Sequence, residues 1–94
     1  MANCPPFKVP VKDVAGAVKK VRDEIKKNQG SFTGDETGGA YKFSDDGFIS
    51  GKYTIEGTYT VDEKNNITIK NSITAQRPEV VTCERVADKM KDWL

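Results

Sequence analysis

The sequence predicts an α+β domain in which a four-stranded antiparallel meander is flanked by an N-terminal and a C-terminal helix packed on one face. Two patterns carry this prediction. Apolar residues recur every three or four positions near both ends of the chain, as on the buried stripe of a helix. Between them, residues 31–76 alternate apolar and polar side chains, as strands with one buried face do. A chain of 94 residues suits one domain, so we assign residues 1–94 to a single domain.

The N-terminal part is predicted to be an extended lead-in followed by a helix. Residues 1–10 contain three prolines, which disfavour a helix there, and Phe7 and Val9 are compatible with a short edge strand. Residues 11–29 are predicted to form the first helix, with Asp13 as its N-cap or first-turn acid. Its aliphatic stripe is made by Val11, Val14, Val18, Val21 and Ile25.

The central part is predicted to contain four strands joined by short turns. The clearest strand runs from Ile49 to Val61, with apolar residues at odd positions and polar residues at even ones. A turn over residues 62–66 leads into a strand that ends near Ala75. A shorter hairpin comes first, and residues 44–47 are expected to turn the chain into the long strand.

Residues 78–94 are predicted to form the second helix, with Pro78 in its first turn. Its apolar face carries Cys83, Val86, Met90 and Trp93. Because a solvated tail would seldom end in the only tryptophan of the chain, we expect Trp93 to dock on the sheet or on the first helix and to close one end of the core.

The candidate binding site is the apolar face of the predicted sheet. Two interpretations remain open: a filled core, which we favour, or a pocket between sheet and helices that holds an apolar ligand. Buried tyrosine hydroxyls need partners, which favours the pocket slightly. The candidate ligand-binding residues are Tyr41, Phe43, Tyr53, Ile55, Tyr59 and Trp93.

Composition argues against several kinds of function. Fifteen basic and 14 acidic residues leave a net charge of +1, which disfavours nucleic-acid binding. The chain contains no histidine, the commonest general base and a common metal ligand, so we expect no enzyme, no metal and no other cofactor. The longest apolar runs are a few residues, so no transmembrane segment is predicted.

The two cysteines, Cys4 and Cys83, lie near opposite ends of the chain and could pair only if the fold brought those ends together. We expect them to be reduced. The N-terminal residues lack the basic and apolar stretches of a secretory signal, so the predicted location is the cytoplasm.

The order of elements resembles that of a family of small bacterial proteins, the putative polyhydroxyalkanoic-acid-system proteins. The resemblance covers nearly the whole chain and includes the run Phe7–Val11 before the first helix and the strand that follows Gly47. It implies a bacterial, cytoplasmic protein linked to storage-polymer granules, and it supplies no catalytic residues.

These observations predict a non-enzymatic binding or accessory protein. Its helix-covered antiparallel sheet would contact an apolar small molecule, a storage-polymer surface or a protein partner. The alternative is a small homodimeric interaction or regulatory protein that has no small-molecule ligand and that pairs through a sheet edge or through the second helix.

Overall fold

The computed structural model describes residues 2–94 and contains two helices and one sheet. In chain order, the elements are β1 (Ala2–Asn3), β2 (Phe7–Pro10), α1 (Val14–Lys27), β3 (Ser31–Gly34), β4 (Gly38–Gly47), β5 (Gly51–Val61), β6 (Asn66–Ala75) and α2 (Cys83–Trp93). The predicted α+β class, with an antiparallel sheet and two helices, is confirmed. The predicted number of strands is wrong, because the sheet has six strands and not four.

The two additional strands come from the predicted lead-in. All pairs are antiparallel, and β1 and β2 both pair with the outer edge of β6, in the order β1-β6-β5-β4-β3. Between them the backbone N–H of Cys4 donates to the carbonyl of Asn71 at 2.8 Å. Pro5 and Pro6 have no N–H to donate, so the edge strand is interrupted there.

The turn between β4 and β5 lies later than predicted. β4 continues through the expected turn to Gly47, which pairs with Gly51, so residues 48–50 form the turn. Gly51 has a positive φ of 66°, a conformation that glycine adopts at little cost. As a result Ile49, which was predicted to start a strand on the buried face, is 69% exposed.

Side-chain caps fix the start of each helix. Asp13 is the N-cap of α1 and accepts a hydrogen bond from the Gly16 N–H at 3.1 Å. Thr82 caps α2 by accepting from the Arg85 N–H at 3.2 Å. The second helix therefore begins at Cys83, and the prediction that it begins at Pro78 is wrong. Neither helix within residues 2–94 is long and apolar enough to cross a membrane.

Both helices pack on the same face of the sheet and share one core with it. Val18, Val21 and Ile25 of α1 meet Met90 of α2 above the buried side chains of the strands. Odd-numbered residues of β4, β5 and β6 supply the sheet side of this core, as the alternation predicts. The opposite face is polar and open, and Lys42 and Glu56 form a cross-strand ion pair there at 3.2 Å.

The two cysteines form a disulfide, so the prediction of reduced thiols is wrong for this structure. Cys4 and Cys83 are 79 residues apart in sequence, but their Cα atoms lie 5.5 Å apart. The start of α2 lies beside the sheet edge formed by β1 and β2, at the level of Asn71 in the middle of β6, which brings the chain ends together. Cys4 is buried in the core, and the bond ties the edge of the sheet to α2.

Candidate binding groove

The space directly between the sheet and the helices is nearly filled. Four of the six predicted ligand-binding residues, Tyr41, Phe43, Ile55 and Tyr59, are at most 5% exposed. The cavity among α1, α2 and the centre of the sheet measures about 10 Å³ and has an apolar lining. This is room for about one water molecule at most. Of the two interpretations of this face, the geometry favours the filled core at the centre of the sheet.

A buried polar contact explains two unusual residues of the apolar face. Asn71 is 3% exposed and accepts a hydrogen bond from the Tyr41 hydroxyl, while its Nδ2 lies 3.4 Å from the Met90 sulfur. Gly57 lies between them, and a Cβ there would collide with both the hydroxyl and the Asn71 amide. The glycine therefore makes room for this contact. Burial raises the pKa of Tyr41, so its hydroxyl stays protonated and donates.

Tyr59 is also held by a specific partner. Its hydroxyl donates to the backbone carbonyl of Asp35 at 2.6 Å, and its ring stacks on Phe32 with centroids 5.6 Å apart. Burial, and then the Asp35 carboxylate, raise the pKa of Tyr59. Tyr41 and Tyr59 therefore have internal partners and leave no free hydroxyl pointing at a ligand.

An open groove lies at one end of the covered face, between the β4–β5 hairpin and α2. Its volume is about 160 Å³. Three of the predicted ligand-binding residues line it, and most of the other lining side chains are aliphatic. The lining residues are Phe43, Ser50, Tyr53, Ile55, Val80, Val81, Arg85, Val86, Lys89 and Met90.

Tyr53 is the half-buried aromatic residue of this groove. It lies opposite Asp45 in the β4–β5 ladder, and its hydroxyl donates to the Asp45 carboxylate at 3.4 Å. Burial, together with the charge of Asp45, raises the pKa of Tyr53. The ring therefore presents a neutral aromatic surface beside the groove.

Two cations line the groove from α2. The Thr82 cap fixes the first turn of the helix, and Arg85 and Lys89 are four residues apart, so they lie on one face. Both side chains are exposed. In the described chain, residues 2–94, the ion pairs join Arg22 to Asp23, Lys27 to Glu24 and Lys42 to Glu56, and neither groove cation takes part.

The turn beside the groove exposes two large apolar side chains that were not among the predicted functional residues. Phe48 is fully exposed and Ile49 is 69% exposed. Within residues 2–94, these two are the large hydrophobic residues whose side chains are exposed to solvent. Arg77 holds the turn by donating from Nη1 to the Ile49 carbonyl at 3.0 Å. A pair of apolar residues between Gly47 and Gly51 is the sequence signal that could have located this turn.

Trp93 does not line the groove. Its ring packs against Phe43 with centroids 5.8 Å apart and planes inclined by 58°, so it does dock on the sheet. The structure thus divides the predicted residues into three sets. Phe43, Tyr53 and Ile55 line the groove, Tyr41 and Tyr59 lie in the central core, and Trp93 closes another part of it.

No family model, no curated protein and no solved structure matches this chain. The resemblance to the polyhydroxyalkanoic-acid-system proteins therefore stays a prediction.

Proposed function

We propose that this protein is a non-enzymatic binding module whose groove holds an apolar group that lies next to a negative charge. The observation that carries the proposal is the combination of an aliphatic and aromatic lining with two cations, Arg85 and Lys89, that form no ion pair within residues 2–94. The lining would remove the apolar group from water, and the cations would attract the adjacent anion.

The size of the groove favours a small occupant. Pockets that enclose drug-sized ligands measure roughly 300–1,000 Å³. The groove measures about 160 Å³, close to the roughly 150 Å³ of an engineered apolar cavity that binds benzene. One phenyl ring or one branched aliphatic side chain fits such a volume. A protein partner that inserts one side chain therefore suits the groove better than a large free ligand or a polymer chain.

The chemistry of the lining supports binding over catalysis. The polar groups that line the groove belong to Ser50, Tyr53, Arg85 and Lys89. The tyrosine is neutral because its pKa is raised. The groove lining contains no carboxylate, thiol or imidazole that could act with Ser50 as a general base. This set can orient an anion, but it lacks a nucleophile paired with a base.

Homodimerisation through a sheet edge, one route for the alternative function, is disfavoured by the shape of the edges. One edge is the β1–β2 strand, which is interrupted by Pro5 and Pro6 and ends in Pro10. The other edge, β3, has four residues. Short and proline-containing edges are features that prevent strand addition. An interaction through the groove is therefore the better candidate.

The disulfide bears on the compartment in which the protein works. Cytosolic thiols are kept reduced in most organisms, and stable disulfides are typical of oxidising compartments. The Cys4–Cys83 bond therefore favours an oxidising compartment over the predicted cytoplasm. Rapid acid quenching of cells, followed by alkylation and mass spectrometry, tests this. Two alkylated cysteines would support the cytoplasm, and none would support an oxidising compartment.

Phenylacetate is a suitable probe of the groove, because it joins one phenyl ring to one carboxylate. We expect saturable amide shift changes in an NMR titration at residues 50–53 and 80–89. With ten heavy atoms, its Kd is expected at about 1 mM. Neutral phenylacetamide is the matched control ligand and should bind more weakly, since it lacks the charge.

Two variants locate the probe. Val80→Trp fills the groove from a half-buried position, and Tyr53→Ala removes its aromatic wall; both should abolish the shift changes. Lys70→Glu on the open face is the matched surface control and should leave binding unchanged. Shift changes that persist in Val80→Trp, or that spread over the open face, would contradict the proposal.

A further inference from the structure

We propose that the occupant of the groove is Phe48 of a second copy of this chain, so that two copies exchange their β4–β5 turns in a symmetric dimer. This inference rests on the proposed function of the groove and names the partner. It identifies residues 48 and 49 as the ligand and the groove as the receptor.

The fit of the apolar surfaces is the first step. Phe48 is fully exposed, so its ring does not occupy the groove of its own chain. The groove has about 160 Å³ and an apolar lining, close to the roughly 150 Å³ of a cavity that holds benzene. A phenyl ring therefore matches the groove in size. Ile49 would extend the contact along the groove rim.

Charge complementarity is the second step. Asp45 and Asp46 lie near the end of β4, with Gly47 between them and the turn, and both are exposed. Arg85 and Lys89 line the groove. When a turn enters the groove of another copy, its acidic end approaches two cations that form no ion pair within residues 2–94. The same acidic residues disfavour insertion of the turn into an anionic bilayer.

Symmetry is the third step. Ser50 belongs to the turn and also lines the groove, so donor and acceptor surfaces are adjacent on one chain. Adjacent complementary surfaces allow a two-fold dimer in which each copy gives its turn and receives the other. Arg77 holds the turn through the Ile49 carbonyl and keeps the two surfaces in a fixed relation. The contact area is small, so the dimer should be weak and concentration-dependent.

Sedimentation velocity from micromolar to millimolar protein tests the inference. We expect the wild type to shift from monomer to dimer. Phe48→Ser should weaken dimerisation about a hundredfold, because each of the two buried rings contributes about tenfold. Since Phe48 is fully exposed, this change should leave the fold intact, and the melting temperature checks this. The double charge reversal Arg85→Glu/Lys89→Glu should also yield monomers, whereas Lys70→Glu should not.

A mixing experiment separates turn and groove. Phe48→Ser keeps an intact groove, and Arg85→Glu/Lys89→Glu keeps an intact turn. ¹⁵N-labelled Phe48→Ser should therefore show groove shifts when unlabelled Arg85→Glu/Lys89→Glu is added. Unlabelled Arg85→Glu/Lys89→Glu that also carries Asp45→Lys/Asp46→Lys should give no such shifts, because its basic turn is repelled by Arg85 and Lys89 of the labelled chain. A dimer that persists in Phe48→Ser would overturn the inference, as would a wild type that is monomeric at millimolar concentration.

Phenylacetate binding to monomeric Phe48→Ser distinguishes the two proposals. If phenylacetate binds the groove but wild-type chains do not associate, the second-copy inference fails and the proposed function stands. If neither binds, both fail. Flotation with phosphatidylcholine vesicles, with and without phosphatidylglycerol, completes the test. Binding that depends on Phe48 would assign the turn to a membrane surface and overturn the inference.

Discussion

Removing the disulfide is expected to destabilise the protein strongly. The double variant Cys4→Ala/Cys83→Ala opens a covalent loop that spans 79 residues. In the chain-entropy description, a cross-link over such a loop removes about 15 cal/mol/K from the unfolded state, or about 4.5 kcal/mol at 25 °C. A domain of this size has roughly 5–14 kcal/mol in total. The variant should therefore retain only a small part of the stability.

Urea denaturation followed by circular dichroism measures this loss. Three samples are needed: the oxidised wild type, the wild type with a reducing agent, and the double variant. The reduced wild type and the variant should agree closely, because both lack the cross-link. A loss below about 1 kcal/mol, the range of ordinary surface substitutions, would refute the reasoning. It would mean that the edge strand and α2 stay associated in the unfolded chain or that the bond does not form.

Two further predictions concern aromatic residues. Trp93→Ala should lower the free energy of unfolding, measured in urea melts, by about 2–3 kcal/mol. This is less than for a fully buried tryptophan, because Trp93 is half-buried against Phe43. A loss below about 1 kcal/mol would show that the contact does not stabilise the monomer. Burial raises the pKa of Tyr41, so as pH rises the tyrosine hydroxyl loses its proton in the unfolded chain before it does in the folded one. The free energy of unfolding should therefore fall as pH rises above about 10, by up to about 1.4 kcal/mol per pH unit. Tyr41→Phe should reduce that slope, and an unchanged slope would contradict the assigned pKa direction.

Alternation in the sequence was sufficient to predict the four strands of the meander and their buried face, because one residue of slip would turn every side chain over. It failed at the β4–β5 turn. Asp45, Asp46 and Gly47 are typical turn residues, but in the sheet they pair with β5, and the left-handed Gly51 closes the turn instead. Pairing between the long strands β4 and β5 outweighed the local turn preference of these residues. Because the turn was predicted too early in the chain, the exposure of Phe48 was not predicted.

The disulfide and the groove lay beyond sequence reasoning for a different reason. Both depend on where α2 lies on the sheet, and no local pattern gives that position. Cys4 and Cys83 meet only because the start of α2 lies beside the β1–β2 edge of the sheet. Tyr53, Phe43 and Ile55 were identified correctly as apolar-face residues, but only the tertiary structure separates the half-buried Tyr53 from the closed core.

The most direct test of the account is an isotope-filtered NOE experiment on ¹³C-labelled Phe48→Ser with unlabelled phenylacetate. If the groove holds the phenyl ring, NOEs should connect the phenyl protons to the methyl groups of Val80, Val86 and Ile55, which line the groove. NOEs confined to other methyl groups, such as those of Val11 or Val61, or the absence of any intermolecular NOE at saturating phenylacetate, would contradict the claim that this groove is the binding site.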